Sequence, residues 1–517
     1  MPEKLREVFG DLVSQTEVKS IGHWEKNEEF INVTIGADYH FNEKHVLTLS
    51  TYYAYEGETE ESEGNFSVER PNGLVVKSWL RDQSTTASNP KQQYELNYKG
   101  SFSEKGDHNL LLSVVGSSFA KDQSSIFGNN PLTGLDAPDN QQSTINNFSQ
   151  NEYTLKADYE RPLSEKIKLE AGAQYLVNKV FNDFSISNME SGKWQVIPQL
   201  TNTFFYRQDV FGLYSTGSYE GKKIGIKGGL RLENTDLETL LEQTDQRNEQ
   251  DFLNLFPTFH ASYKFNNDFS IQGGYSRRIF RPRFWHLNPF TDIRNNFSVW
   301  SGNPDLLPEL TDSYEITGIW NLSILSINAS IYRRFVTQTI ENVTRFENGI
   351  SQTRPTNIGT NSATGIEFNA KINPLEWWSI NTDFNLNYFK RNGIFENQEF
   401  SFSANQWSSR LTNRLKLPAD LTIEIVGDFR SSYRTFQREI SGFAAANLAM
   451  RKKIMKGKAV VNLTVRDVFA SRIYENITTN ENLFDYSYSL QGRFFTLGLS
   501  FGIGKGKAIE FSEQSPF

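Results

Sequence analysis

Cysteine is absent from the 517 residues, which excludes disulfides, thiolate metal sites and cysteine nucleophiles. Also missing is any apolar run near the ~18 residues that a membrane-spanning helix needs. The net charge of −8, with 53 Lys and Arg against 61 Asp and Glu, leaves no basic footprint for nucleic acid. Neither His-Glu-x-x-His nor Gly-x-Ser-x-Gly occurs, and the six histidines are scattered, so no zinc-hydrolase or serine-hydrolase signal is present. We therefore expect no enzyme, no cofactor and no resident metal. Asp136 and Asp139 sit in a Gly-, Pro- and Asn-rich stretch, but they lack the Asp-x-Asp-x-Asp-Gly form of a calcium loop. A secretion signal is not visible either. Met1 to Arg6 leads into charged sequence rather than an apolar core of about 7–15 residues.

What the chain does have is aromatic residues, 14% in all with 40 Phe and 21 Tyr, and strict alternation. Trp378, Ile380, Thr382, Phe384, Leu386 and Tyr388 interleave with Ser379, Asn381, Asp383, Asn385 and Asn387. Side chains alternate across a strand, so one face is apolar and the other is polar down to a mid-strand carboxylate. The same pattern recurs at Ile31, Val33 and Ile35, at Leu325, Ile327, Ala329 and Ile331, at Leu421, Ile423 and Ile425, and at Phe495, Leu497, Leu499 and Phe501. Only 37% of residues are hydrophobic, too few for a helical membrane protein. A transmembrane barrel meets lipid only at every second residue, so its composition stays polar while its pattern stays strict.

Alternation alone also fits a soluble sandwich, and connection lengths decide between them. Tight polar turns at 42–44, 164–165, 221–222, 266–268, 418–420 and 456–457 alternate with long connections at 121–150, 283–311 and 471–485. Short turns at one end and long loops at the other belong to outer-membrane barrels, whose long loops lie outside the cell. Many strands run to about 15–20 residues, beyond the ~9–11 that cross a bilayer. The expected fold is all-β: one large antiparallel transmembrane β-barrel of about 19 strands, treating 65–89 as part of one outer connection. The first strand, 30–41, and the last, 492–503, both run inward. The count is therefore odd, whereas bacterial single-chain barrels have even counts. A complete barrel of 22 strands, the number in plugged transporters, would need about three more. The expected division is an N-terminal lead at 1–29, a barrel at 30–504 and a short periplasmic tail at 505–517.

The stretch 275–320 reads YSRRIFRPRFWHLNPFTDIRNNFSVWSGNPDLLPELTDSYEITGIW. In it Arg281-Pro282 leads to Leu287-Asn288-Pro289, then to a box formed by Gly302, Asn303, Pro304, Asp305, Leu306, Leu307, Pro308 and Glu309, then to Ser313-Tyr314-Glu315. This resembles the barrel of TonB-dependent receptors, in particular the outer-membrane β-barrel family common in Bacteroidetes. Segments 465–469 and 493–504 resemble the same family's ending. The resemblance implies energised uptake of a bulky nutrient such as a metal-chelate, vitamin, glycan or peptide. It also implies outer-membrane lipid around the wall, a nutrient ligand or surface lipoprotein at the loops, and the TonB complex as partner through a plug. The plug, the TonB box and a signal peptide would precede the first barrel strand and are not recognised in the sequence. The expectation is accordingly a truncated or split receptor barrel without its plug domain. The alternatives are a plugless passive pore, a surface-binding barrel, or a secreted soluble β-rich adhesin or glycan-binding module.

Within the box, Pro304 and Pro308 fix φ and remove donors, which favours a rigid outer corner over a ladder strand. Gly302 suggests a backbone conformation closed to other residues. We read Gly302, Asn303, Pro304, Leu306, Pro308 and Glu309 as structural. Arg277, Arg278, Arg281 and Arg283 form a basic cluster at one strand's outer end, and Arg333-Arg334 repeats it. They could attract an anionic ligand, or their lumen-facing members could pair with carboxylates. Phe284, Trp285, His286, Phe290 and Trp300 could stack on a ligand or pack within the loop. Arg281, Arg283, Trp285 and Trp300 are the ligand candidates. Trp377-Trp378, beside a short turn, reads as interfacial girdle.

Overall fold

The computed structural model describes residues 3–11, 16–70, 72–134, 141–289, 298–347, 350–479, 483–490 and 492–502. The chain is one long meander. β1 (Glu3–Asp11) precedes β2 (Thr16–Asn42), β3 (His45–Glu69), β4 (Val75–Ser101), β5 (Asn109–Thr133), β6 (Gln141–Pro162) and β7 (Ile167–Glu190). The short β8 (Lys193–Val196) pairs with the end of β7. Then come β9 (Asn202–Glu220), β10 (Ile224–Leu241), β11 (Gln246–Lys264) and β12 (Phe269–Phe280). The next connection carries a one-turn helix, α1 (Phe284–Leu287), and β13 (Ser298–Trp300). β14 (Glu309–Asn321) and β15 (Leu325–Thr337) return to the wall, and β16 (Ile340–Glu347) and β17 (Ile350–Asn357) leave it. With β13 these two form a separate three-stranded sheet.

The wall continues through β18 (Gly359–Leu375), β19 (Trp378–Phe395), β20 (Gln398–Leu417) and β21 (Leu421–Arg430). β22 (Tyr433–Arg434) and β23 (Arg438–Ile440) form an outer ribbon before β24 (Phe443–Ile454) and β25 (Ala459–Arg466). A second outer ribbon, β26 (Ile473–Thr479) and β27 (Leu483–Leu490), leads to β28 (Phe494–Phe501). Among the described residues the main sheet has 25 strands. Setting aside β1, β8 and the ribbon strands β22, β23, β26 and β27 leaves nineteen in the wall, as the alternation predicts.

The inner turns are tight. Ala419 and Asp420, and Met455, Lys456 and Gly457, all have positive φ, the conformation that reverses a right-twisted hairpin in few residues. Among the described residues no helix is long and apolar enough to cross a membrane. The strands cross instead. Ile331 is 62% exposed while its neighbour Ser330 is buried, and the partners of Ile331 across the ladder, Ile316 and Ile366, are exposed as well. Exposed apolar rows of this kind encircle the wall and face lipid, with polar rows toward the lumen. At the inner end Phe265, Phe269 and Trp320 stack at 5.0 and 4.9 Å, and Trp377 stacks on Trp378 at 6.3 Å, forming an aromatic belt at the interface. Ile331→Lys is therefore expected to cost about 2–4 kcal/mol. Asn328→Lys, on the lumen face, is expected to be tolerated; the fraction of protein that keeps the compact, heat-shiftable gel mobility reads both.

Three expectations need correction. Residues ahead of 30 are not a lead outside the wall, because β1 and the first half of β2 are strand, paired to each other and to β3 and β27. Residues 65–89 are not a connection either. β3 and β4 pair from His45–Gly100 out to Glu69–Val75, so the turn is only 70–74. Likewise 121–150 is mostly strand, with β5 and β6 paired out to Gly128–Gln141. All three segments project past the outer leaflet, where water wets both faces and the oily half of the alternation is not written. β2 and β4 each run 27 residues, well over twice the ~9–11 that a bilayer requires.

β2 and β28 run in the same direction. In the outer part β1 fills the space between β2 and β27, pairing with both. Below it, the edge of β2 from 25 to 42 and the free edge of β28 have no ladder partner among the described residues.

Candidate functional site

The connection between β12 and β14 does not stay outside as a simple corner. It folds into the outer mouth of the barrel. Leu287 from α1 and Leu306 from the box have no exposed surface. Both enter a cluster with Phe148 of β6, Val180 of β7, Phe204 and Tyr206 of β9 and Leu237 of β10. Those wall residues are the buried members of alternating rows whose other members, such as Phe205 and Leu230, are exposed, so the cluster lies on the lumen side. Two leucines thus carry the connection inward and seat it against the wall.

Polar contacts fix the box around them. Gly302 N–H donates to Asn288 O at 2.8 Å, and a Cβ on Gly302 would lie 2.3 Å from that oxygen. Glycine is needed here for close approach; Gly302 is not among the residues with positive φ. Asn303 N–H reaches His286 O at 2.6 Å, and its side chain donates to Pro355 O at 3.1 Å. Pro304 is buried, and its carbonyl accepts from Asn248 at 2.9 Å, while Gln250 donates to Leu306 O at 3.1 Å. Arg354 donates to Gly302 O and to Asn303 Oδ1, both at 3.1 Å. The Asn357 side chain bonds both backbone groups of Leu307. Pro308 ends the box, and the Glu309 carboxylate accepts from Ile340 N–H at 2.6 Å.

The basic cluster separates into different roles. Arg281 is committed to the wall: its Nη2 lies 2.5 Å from Glu233 Oε2, and it bonds Thr235 Oγ1 at 3.0 and 3.1 Å. Glu233 also holds Arg231 at 2.5 Å. Arg277 is paired across the ladder with Asp312 on the row that carries Tyr275 and Tyr314, whereas Arg278 lies on the opposite, lumen-facing row. Arg283 precedes α1 and stacks at 4.9 Å over Trp285, which is exposed. The Arg283 N–H donates to His286 Nδ1 at 3.2 Å, and burial, aided by the Arg283 charge, holds that imidazole below its usual range. Phe284 packs on Phe148 at 5.0 Å. Trp300 is half-buried in β13, paired with Thr353 of β17. Arg333 donates to Thr364, and Arg334 lies 4.3 Å over the Tyr332 ring. Phe290, Asp136 and Asp139 lie outside the described residues.

The other outer connections lock onto the first. Arg438, in the ribbon after β21, donates to Thr344 and Thr353 of the small sheet at 3.1 Å each, and Thr344 N–H donates to Gln437 at 2.7 Å. Arg391 of β19 pairs with Glu341 of β16. Beneath this layer, on the β11–β19 side, the lumen wall opens into a cavity of about 800 Å³.

The model of the outer membrane protein beta-barrel family matches residues 100–501. The chain belongs to that family. It is a barrel of the outer membrane, and its fold is that of the barrels of TonB-dependent receptors. Among solved structures the chain is similar to the ferric citrate transporter FecA in its unliganded form, at 11% identity and a TM-score of 0.58, over 95% of this chain and 78% of that one. It is also similar to the copper transporter OprC, at 11% identity and 0.57, over 95% and 80%. The ferric yersiniabactin uptake receptor FyuA from Yersinia pestis aligns at 10% identity and 0.52, over 96% and 80%. At these identities the likeness is one of fold. No curated protein matches the chain.

Proposed function

We propose that this family member forms the wall of a TonB-dependent receptor that takes up a bulky nutrient across the outer membrane. The supporting observation is the width of the wall combined with its lumen. Nineteen strands enclose far more space than the ~8 whose side chains fill their own interior, and the lumen-facing rows are polar and ion-paired. Such a cylinder holds a plug or a passage rather than a core. The outer connections, seated inward and locked to one another, narrow the mouth, and the lumen wall beneath them holds a cavity open to a ligand. The fold shared with FecA, OprC and FyuA is consistent with uptake, and the substrate of this chain has to be read from its own residues.

The test is uptake in cells that carry or lack the gene, each with the TonB complex intact or deleted, using labelled metal-chelates, cobalamin and oligosaccharides. Uptake of one of these compounds that needs both the gene and TonB is the expected result. Uptake that needs the gene but persists without TonB would instead establish a passive pore.

A further inference from the structure

The cavity of about 800 Å³ on the lumen wall sits on β11, β12, β14, β15, β18 and β19, a volume within the ~300–1,000 Å³ range of small-molecule sites. Two cations face it. Arg278 of β12 lies on the row of Thr311 and Val336, and Arg334 of β15 lies on the row of Ser313 and Ser276. Among the described residues neither guanidinium has an ion pair, whereas Arg281, Arg391 and Arg410 nearby each hold a carboxylate. Arg334 rests on the Tyr332 ring, which leaves its donors directed to the lumen. Among the described residues Glu315 is the one carboxylate in the lining, and its Oε1 accepts from Thr317 at 2.8 Å.

Asn361 and Asn387 add two amide side chains to the same lining. Beside two guanidiniums without a carboxylate they describe a site that is polar and cationic. The rest of the lining is rich in hydroxyls, from Ser276, Thr311, Ser313 and Thr317. Arg278 and Arg334 lie two strands and two residues apart, roughly 12 Å between Cα atoms, a span that suits an extended ligand rather than a single small ion.

We propose that this cavity binds an anionic, hydroxyl-rich ligand of the acidic-saccharide class. Arg278 and Arg334 take its carboxylates through paired N–H donors, and Asn361 and Asn387 meet its hydroxyls. This rests on, and deepens, the uptake reading by assigning a substrate class. Binding needs neither TonB nor energy, so the two ideas can fail separately.

The experiment is calorimetric titration of the full chain in detergent with digalacturonate, and with the neutral disaccharide galactobiose as control. Digalacturonate is expected to bind at least roughly tenfold more tightly than galactobiose, because charge-assisted hydrogen bonds are the stronger kind. Arg278→Gln with Arg334→Gln should remove that preference. Arg207→Gln, which alters an exposed pair with Asp209 on the lipid-side row of β9, should leave it intact. Retained heat-shiftable gel mobility ensures that each variant is folded. No binding of digalacturonate, equal binding of the neutral sugar, or an unchanged preference in the folded double variant would overturn the assignment. Binding with these properties but no uptake would keep the site and count against the transport reading.

Discussion

Leu306→Ala is expected to unseat the connection between β12 and β14 while leaving the wall ladder intact. Leu306 has no exposed surface and, with Leu287, forms the apolar contact between this connection and β6, β7, β9 and β10. Truncating a fully buried leucine typically costs about 2–5 kcal/mol, depending on how far the site can collapse. Here collapse is limited, because Gly302, Asn303 and Pro304 are pinned by Asn288, Arg354 and Asn248. The cost falls on local opening rather than on global unfolding, since the connection is not part of the ladder. At about 3 kcal/mol the open population rises roughly a hundredfold. Tryptic cleavage within 281–308 should accelerate by a similar factor, and the compact gel mobility should persist. Leu307→Ala is the matched control, because Leu307 is 45% exposed and its removal should change little. Equal cleavage of the two variants would contradict the seated connection.

Glu233→Ala is expected to be the most damaging single substitution in the outer lumen. The Glu233 carboxylate is buried and holds two cations, Arg281 from the start of the connection and Arg231 from its own strand. Removing it strands both guanidiniums, and losing one partner of a buried pair costs about 3–5 kcal/mol. Arg281→Ala is milder, near the roughly 1–3 kcal/mol of an unmade polar contact, because Glu233 keeps Arg231. The double variant should be less unstable than the sum, since the alanines remove charges that each single variant leaves unpaired. Apparent unfolding temperatures, compared at one heating rate, should rank wild type first, then Arg281→Ala, then Glu233→Ala. The reverse order of the two single variants would refute the shared-carboxylate account.

These residues also mark where sequence reasoning stops. Within the bilayer the physics is local: Ile331 faces lipid because it is one residue from Ser330, and a tight turn such as 418–420 needs only its own residues. The nineteen wall strands were legible for that reason. Outside the bilayer both faces are wet, so Glu60, Glu61 and Glu63 can occupy successive or alternate positions without penalty. The outer halves of β3 and β4 accordingly read as loop. The mouth is harder still, because its contacts link residues far apart in the chain. Arg281 reads as a free cation until Glu233 is found beside it, 48 residues earlier. Asn248, Gln250, Arg354 and Asn357, which hold the box, carry no motif at all. Proline and glycine in the box did announce rigidity, but the reason for Gly302 lies in the approach of Asn288, which no local pattern encodes.

The alternating strands form a wall with lipid on one side and a watery lumen on the other. Because the chain has no cysteine, single cysteines can be introduced one at a time from 326 to 331 in β15 and labelled with an environment-sensitive fluorophore in bilayers containing brominated lipid. Quenching should be strong at Ile327, Ala329 and Ile331 and weak at Ser326, Asn328 and Ser330, with a period of two residues. Uniform quenching, uniform protection, or a period near 3.6 would contradict the barrel itself.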